Sequence, residues 1–249
     1  MASNPSQKCC FEGVYHEGIA KGRYIDLFGI ETYVIGEQYS NDKVLVIFTD
    51  YFGIHFNNSL LIADQLSAKG YKVYIPDILF GDAVDPDNTE NLDREKWLAA
   101  HNETRTKPMV DKFMASFREE INPGYLGVLG YCFGAKYAIQ QINENTGIAD
   151  AAAIAHPSFV TIEEVAAIGQ NPLLISAAET DPVFPQDMRK LTEDKLKEIG
   201  ARYQLDLFSG TYHGFAVRGD LSNPQVLYAK EKVFYDQIYW FDHLSSLKK

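Results

Sequence analysis

The sixteen residues YLGVLGYCFGAKYAIQ, Tyr125 to Gln140, decide how the rest of the chain is read. An apolar, strand-like run ends abruptly in Gly130-Tyr131-Cys132-Phe133-Gly134, and a small-residue, helix-like segment follows at once. A G-x-nucleophile-x-G turn between strand and helix forces its central residue into a strained, exposed position. The flanking glycines are required because side chains there would collide with the neighbouring strand and helix. Cys132 would also sit at a helix N-terminus, where the macrodipole and free backbone N–H groups favour a thiolate over a thiol.

Two blander readings compete. An isolated cysteine is commonly a small buried hydrophobe, yet such a residue has no need to be centred between two glycines at a strand end. Alternatively, Gly127, Gly130 and Gly134 form a phosphate-cradling loop, with Asp150 as the ribose ligand of a dinucleotide fold. Against this, the spacing is G-x-x-G-x-x-x-G, several strands precede the turn, and Asp150 opens its strand rather than closing it.

Outward from the turn, strand and helix signals alternate. RYIDLF and ETYVIG, around Gly29 and Ile30, read as an antiparallel hairpin. KVLVIFTD is a continuous apolar strand, NNSLLIADQLSAKG an amphipathic helix stopped by Gly70, and YKVYIPD a strand again. Residues 94–120 suggest one or two helices interrupted near Pro108. DAAAIAH, PLLISAAE and RYQLDLF add strands, QDMRKLTEDKLKEIG a charged helix, and residues 224–247 a long closing helix. The pattern predicts one α/β domain over 1–249, with about eight strands in a mostly parallel sheet, helices on both faces and an N-terminal hairpin. In such a sheet the binding crevice lies beyond the carboxyl ends of the strands. That filter selects Asp50 to Gly53, Asp77 to Gly81, Cys132, His156, Glu179 to Asp181 and His213.

Composition narrows the function. A formal charge of −11, with no Lys/Arg cluster against it, gives a polyanion or acidic membrane little to hold, so nucleic acid is not an expected partner. Three cysteines, with Cys9 and Cys10 adjacent and Cys132 remote, make neither a disulfide framework nor a zinc finger, which fits a reducing cytosol. The start MASNPSQKCCFEG lacks a signal-peptide core, and no apolar run approaches the ~18 residues needed to span a bilayer. A cytoplasmic protein, monomer or homodimer, is expected.

An activated thiol needs a base within hydrogen-bond reach and an acceptor that orients the base. In a strand-topped nucleophile architecture the order is nucleophile, acid, histidine, the last two in loops after later strands. Asp181 follows PLLISAAET and His213 follows RYQLDLFSGTY, so order and placement both fit. Asp181 is also a natural turn residue before Pro182, and Glu179 is the competing acid. No G-x-S-x-G, H-E-x-x-H or C-x-x-C occurs, which leaves serine hydrolysis and metal catalysis without recognisable residues.

At these positions the chain resembles the dienelactone hydrolases, or carboxymethylenebutenolidases, of the α/β-hydrolase superfamily. The likeness is carried by DYFGI, YIPDILFGD, GYCFG, AAETDPVFP and YHGFAVR, and covers most of the chain. It implies a Cys132–His213–Asp181 triad and an oxyanion hole from the backbone N–H groups of Phe133 and Tyr51. It also implies hydrolysis of a lactone or small ester through a thioester, with no metal or other cofactor. Asp50 matches the family's acidic residue that helps ionise the cysteine, although the bacterial pattern has Glu. The arginine expected after Pro-Asp is replaced by Phe80, Gly81 and Asp82, and Arg218 stands one residue beyond the spacing of the second carboxylate-binding arginine. Two other classes stay open: a small-molecule-binding protein on a hydrolase scaffold, and a redox sensor using Cys132, for which no sequence-adjacent resolving cysteine is present.

Overall fold

A computed structural model describes residues 1–248. Its first two strands, β1 (Arg23–Leu27) and β2 (Ile30–Ile35), pair antiparallel with Leu27 opposite Ile30. The two-residue loop has positive φ at both Phe28 (58°) and Gly29 (80°), the left-handed geometry whose twist matches that of the flanking strands. The turn therefore centres one residue earlier than Gly29-Ile30.

Strands β3 (Lys43–Phe48), β4 (Lys72–Pro76), β5 (Tyr125–Tyr131), β6 (Ala151–Ala155), β7 (Leu173–Thr180) and β8 (Tyr203–Tyr212) follow. One eight-stranded sheet results, ordered β1-β2-β4-β3-β5-β6-β7-β8. β2 meets β4 antiparallel, and every pairing from β4 to β8 is parallel. The chain leaves β3 for β4 on one side and later returns to β5 on the other. The ends of β3 and β5 consequently form the topological switch point, where a crevice opens.

The helices are α1 (Asn57–Ser67), α2 (Arg94–Ala100), α3 (Glu103–Ser116), α4 (Phe133–Gln140), α5 (Ile162–Ala167), α6 (Gln186–Glu198), α7 (Phe215–Arg218) and α8 (Pro224–Ser246). α1, α7 and α8 cover one face of the sheet, and α3, α4, α5 and α6 the other. Burial on both faces explains why every residue of β5 and β6 is buried. Small residues here admit the helices: a Cβ on Gly127 would stand 2.7 Å from the Phe241 ring of α8. Tyr71 and Lys43 both donate to Asp242 at 2.8 Å, fixing α8 along the sheet.

The interruption expected near Pro108 lies instead at His101-Asn102. The Asn102 side chain accepts from the Arg105 N–H and starts α3, while Pro108 sits inside that helix. Among the described residues, no helix is long and apolar enough to cross a membrane.

Candidate active site

Strand ends set the geometry. β5 ends beside β3, with Phe48 opposite Gly130, so the Thr49–Phe52 loop and the 131–133 turn lie side by side. Cys132 adopts φ 51°, ψ −109°, a conformation L-residues seldom take. A Cβ on Gly130 would stand 2.6 Å from the Ala135 Cα, and one on Gly134 would run into the Phe48 carbonyl. Both glycines are therefore demanded by close backbone approach. The Cys132 backbone is held by its N–H donating to Ala155 O (3.2 Å) and its carbonyl accepting from Ser158 N–H (3.1 Å).

β8 outruns its partner. Between Ala178↔Phe208 and Thr180↔Tyr212, β7 advances two residues and β8 four, a bulge that turns the strand end toward the sheet's crevice. His213 follows directly. Its Nδ1 lies 2.9 and 3.0 Å from the Asp181 carboxylate oxygens, and its Nε2 lies 3.2 Å from Cys132 Sγ. With Nδ1–H donating to the carboxylate, Nε2 is left to accept from the thiol. Asp181 Oδ1 also accepts the backbone N–H groups of Val183 (2.8 Å) and Phe184 (3.1 Å), so one residue both shapes the turn and faces the imidazole. Glu179 is exposed and accepts the Gly210 N–H, away from the ring.

Two backbone donors lie at the adjoining ends of β3 and β5. Among the described residues, no acceptor takes a hydrogen bond from the N–H of Tyr51 or of Phe133, the first residue of α4. The Tyr51 loop is fixed from behind: its carbonyl accepts from Val84 N–H at 2.8 Å, and its ring stacks on Phe11 with centroids 4.7 Å apart.

Asp50 and Arg218 meet each other rather than the thiol. Arg218 Nη1 donates to Asp50 Oδ2 at 2.6 Å, and Asp50 Oδ1 accepts the Phe52 N–H. The remaining guanidinium donors reach the carbonyls of Glu12 (2.7 Å), Cys9 (3.3 Å) and Cys10 (3.1 Å). Phe80, Gly81 and Asp82 stand at the surface, with Arg105 over the Phe80 ring at 4.0 Å. Asp150 opens β6 at the opposite end of the sheet, where it accepts from Leu126 N–H. That position is remote from any ribose in a β5 crevice.

The N-terminal segment covers the site. Ala2 and Ser3 donate to the Val160 carbonyl, Asn4 N–H donates to Val183 O, and Ser6 hydrogen-bonds the Tyr51 hydroxyl. A short 3-10 turn, Lys8–Phe11, then lays Cys10 Sγ 3.4 Å from His213 Nε2. Cys132 consequently has no exposed surface. Burial, reinforced by the hydrogen bond and charge of Cys10, raises its thiol well above the usual range, with His213 opposing. Burial alone would lower His213, but Cys10, Cys132 and Asp181 outweigh it and raise the ring well above 6.5. His156, fully buried with both ring nitrogens unpaired and its ring 5.1 Å from that of His213, is pushed well below 6.5 by burial.

Cys9, Cys10 and His213 offer three ligand atoms within 4.8 Å of one another, a sulfur–imidazole set that suits a soft divalent ion. An ion there would occupy the Nε2 that faces Cys132. No spacing pattern announces this cluster, because two of its members are some two hundred positions from the third. A cavity of about 420 Å3 opens beside it, lined by Cys9, Glu12, Tyr212, His213, Phe215 and Arg218.

A strained residue atop a central parallel strand, with a histidine and an acid delivered by later strand ends, defines an α/β hydrolase. Solved structures agree on the fold. A dienelactone hydrolase-like promiscuous phosphotriesterase from metagenomic libraries superposes with TM-score 0.68 at 16% identity, over 91% of this chain and 99% of that one. A thermophilic esterase from Thermogutta terrifontis gives 0.59 at 14%, over 88% and 91%. The profile of the Dienelactone hydrolase family matches residues 30–245, and the chain belongs to that family. It is 36% identical to Hydrolase tropI of Talaromyces stipitatus over 97% of this chain and 98% of that one. Dienlactone hydrolase 1 of Gibberella moniliformis is 34% identical over 97% and 95%, and the human carboxymethylenebutenolidase homolog 27% over 79% and 80%. The protein is thus a carboxylic ester hydrolase, acting on lactones or esters.

Proposed function

We propose that the protein opens a lactone or cleaves a small carboxylic ester through a thioester on Cys132, with His213 as base and Asp181 as its orienting acid. The observation that carries this is the relay of short contacts: Cys132 Sγ to His213 Nε2 at 3.2 Å, and Nδ1 to Asp181 Oδ2 at 2.9 Å. His213 takes the thiol proton as sulfur attacks the carbonyl carbon, and the resulting imidazolium is stabilised by Asp181. The carbonyl oxygen, now anionic, accepts from the Tyr51 and Phe133 N–H groups, each such donor being worth ~3 kcal/mol in the barrier. His213 returns its proton to the leaving alkoxide. In a lactone that alcohol stays tethered to the acyl chain. A water then enters, His213 removes its proton, and the thioester gives the free acid.

The N-terminal segment through Glu12 is a strap over the site and must lift before any of this occurs, since the thiol has no exposed surface. Lifting removes three carbonyls from Arg218 and frees guanidinium donors for a substrate carboxylate, with Asp50 as the residual counter-ion. It also removes Cys10 from the thiol, and with it one cause of the raised Cys132 pKa. Substrate binding and thiol activation are thereby coupled.

Steady-state turnover of p-nitrophenyl acetate and of a five-membered lactone tests the reading. Cys132→Ala and His213→Ala should each lose about 10³-fold or more in kcat. Unchanged rates in folded, purified variants would reject it.

A further inference from the structure

Among the described residues the buried Cys132 thiol has two hydrogen-bonding partners, Ser158 at 3.7 Å and His213 at 3.2 Å, and the N-terminal strap brings a second thiol, Cys10, to the same imidazole. Cys132 Sγ and Cys10 Sγ lie 3.2 and 3.4 Å from the same nitrogen, His213 Nε2, and both residues are wholly buried. Two sulfurs on one ring nitrogen are thereby held as neighbours. No resolving cysteine is adjacent to Cys132 in sequence; the fold brings one from 122 positions upstream. We infer that Cys10 and Cys132 are a redox pair, which a hydroperoxide closes into a disulfide that locks the strap over the active site.

The inference rests on the assignment of Cys132 as nucleophile. Cys132 gives its proton to His213, and its sulfur attacks one oxygen of the hydroperoxide. The O–O bond breaks, and the departing oxygen takes the proton to leave as an alcohol, or as water from hydrogen peroxide. Cys132 is now a sulfenic acid. Cys10 then passes its proton to His213 Nε2 and attacks the Cys132 sulfur. The S–O bond breaks, and hydroxide recovers the proton as water. Two thiols have lost two electrons, and one hydroperoxide has gained them.

The local architecture favours this outcome. A disulfide needs sulfurs at ~2.0 Å, and Cys10 sits on a four-residue 3-10 turn outside the sheet that can make the adjustment. The same bond would pin the strap where Arg218 already holds its carbonyls. Cys9 is the rival partner, being adjacent to Cys10 and only half-buried. Its thiol is lowered by a hydrogen bond from Cys10.

The test treats the full chain with stoichiometric hydrogen peroxide in the presence of a chelator, then reads intact mass and a peptide map. The expected result is a loss of about 2 Da, with the Cys132 peptide linked to the Cys9–Cys10 peptide and released by dithiothreitol. Ester turnover should fall about tenfold or more and return on reduction. Cys9→Ser should keep the link. Cys10→Ser should lose it, leaving Cys132 as a sulfenic acid that dimedone traps and dithiothreitol returns to the thiol. A link that survives Cys10→Ser, a Cys9–Cys10 bond alone, or oxygenated Cys132 beside free Cys10 in the unaltered chain would overturn the inference. Mass readouts need no turnover, so failure here is distinct from failure of the nucleophile assignment, which reduced Cys132→Ala reports separately.

Discussion

Arg218 and Asp50 form an ion pair at 2.6 Å with both side chains essentially without solvent contact. The pair ties the loop after β3 to α7, and through the Cys9, Cys10 and Glu12 carbonyls it holds the strap as well. Removing one partner leaves the other charge buried and uncompensated. Arg218→Met should therefore cost about 3–5 kcal/mol, whereas Asp50→Asn with Arg218→Met should cost less than the two singles summed. Urea midpoints of the three variants give the comparison. An additive cycle would mean that the pair is not coupled as described.

Asp181 serves a turn and an imidazole at once, and asparagine separates the two roles. Asp181→Asn keeps an oxygen for the Val183 and Phe184 N–H groups but presents no charge to Nδ1. Thermal midpoint should change little, while kcat should fall by about 10²–10⁴-fold. A variant that lost stability but kept kcat would confine Asp181 to the turn.

His156 predicts a pH dependence of stability. Burial lowers its folded pKa well below 6.5, so beneath that value the unfolded chain binds a proton that the folded chain refuses. Stability from this residue is present above pH 6.5 and lost as pH falls, by at most about 1.4 kcal/mol per pH unit. His213, with a raised pKa, contributes in the opposite sense: its share is present below 6.5 and lost as pH rises through its folded value. His156→Asn suits the positive φ of 38° and isolates the first effect. Denaturation between pH 5 and 8, on the order of the usual histidine range, should show a shallower acid decline in the variant. Superimposable profiles would refute the assignment.

Phe11 is the strap's main apolar anchor, buried and stacked on Tyr51 and 6.4 Å from Trp97. Phe11→Ala should ease local opening by about 3 kcal/mol, which is up to about 10²-fold in the population exposing Cys132. Iodoacetamide labelling of Cys132, mapped by peptide, should quicken accordingly. Equal labelling rates would show that the thiol is reached by another route.

Much of this fold was legible because the parallel strands, buried on both faces, announce themselves as unbroken apolar runs. β3, β4 and β6 fall within the segments their composition marked, β5 and β7 run one residue past theirs, and β8 continues from Phe208 to Tyr212 beyond RYQLDLF, where its alternating, half-exposed residues carry no apolar run. Shorter elements were harder. α5 went unread although its capping box, Thr161 with Glu164, is visible in the sequence, because six residues carry too little periodicity. Pro108 suggested a break that the Asn102 cap makes instead. Cys132, Asp181 and His213 could be brought together on paper because strand ends share one edge of the sheet. The strap could not: its partners Val160, Val183 and Arg218 are distant in sequence, and nothing in MASNPSQKCCFEG has a period that names them. For the same reason the contact between Arg218 and Asp50, and the approach of Cys10 to His213, emerged only in three dimensions.

The central claim is an acyl group carried on one sulfur, and rapid-quench mass spectrometry during turnover of an activated ester addresses it directly. The account predicts an adduct of the acyl mass on the peptide containing Cys132, formed and lost at rates compatible with kcat and absent in Cys132→Ala. An adduct mapped to another residue, or undiminished turnover by Cys132→Ala, would contradict it.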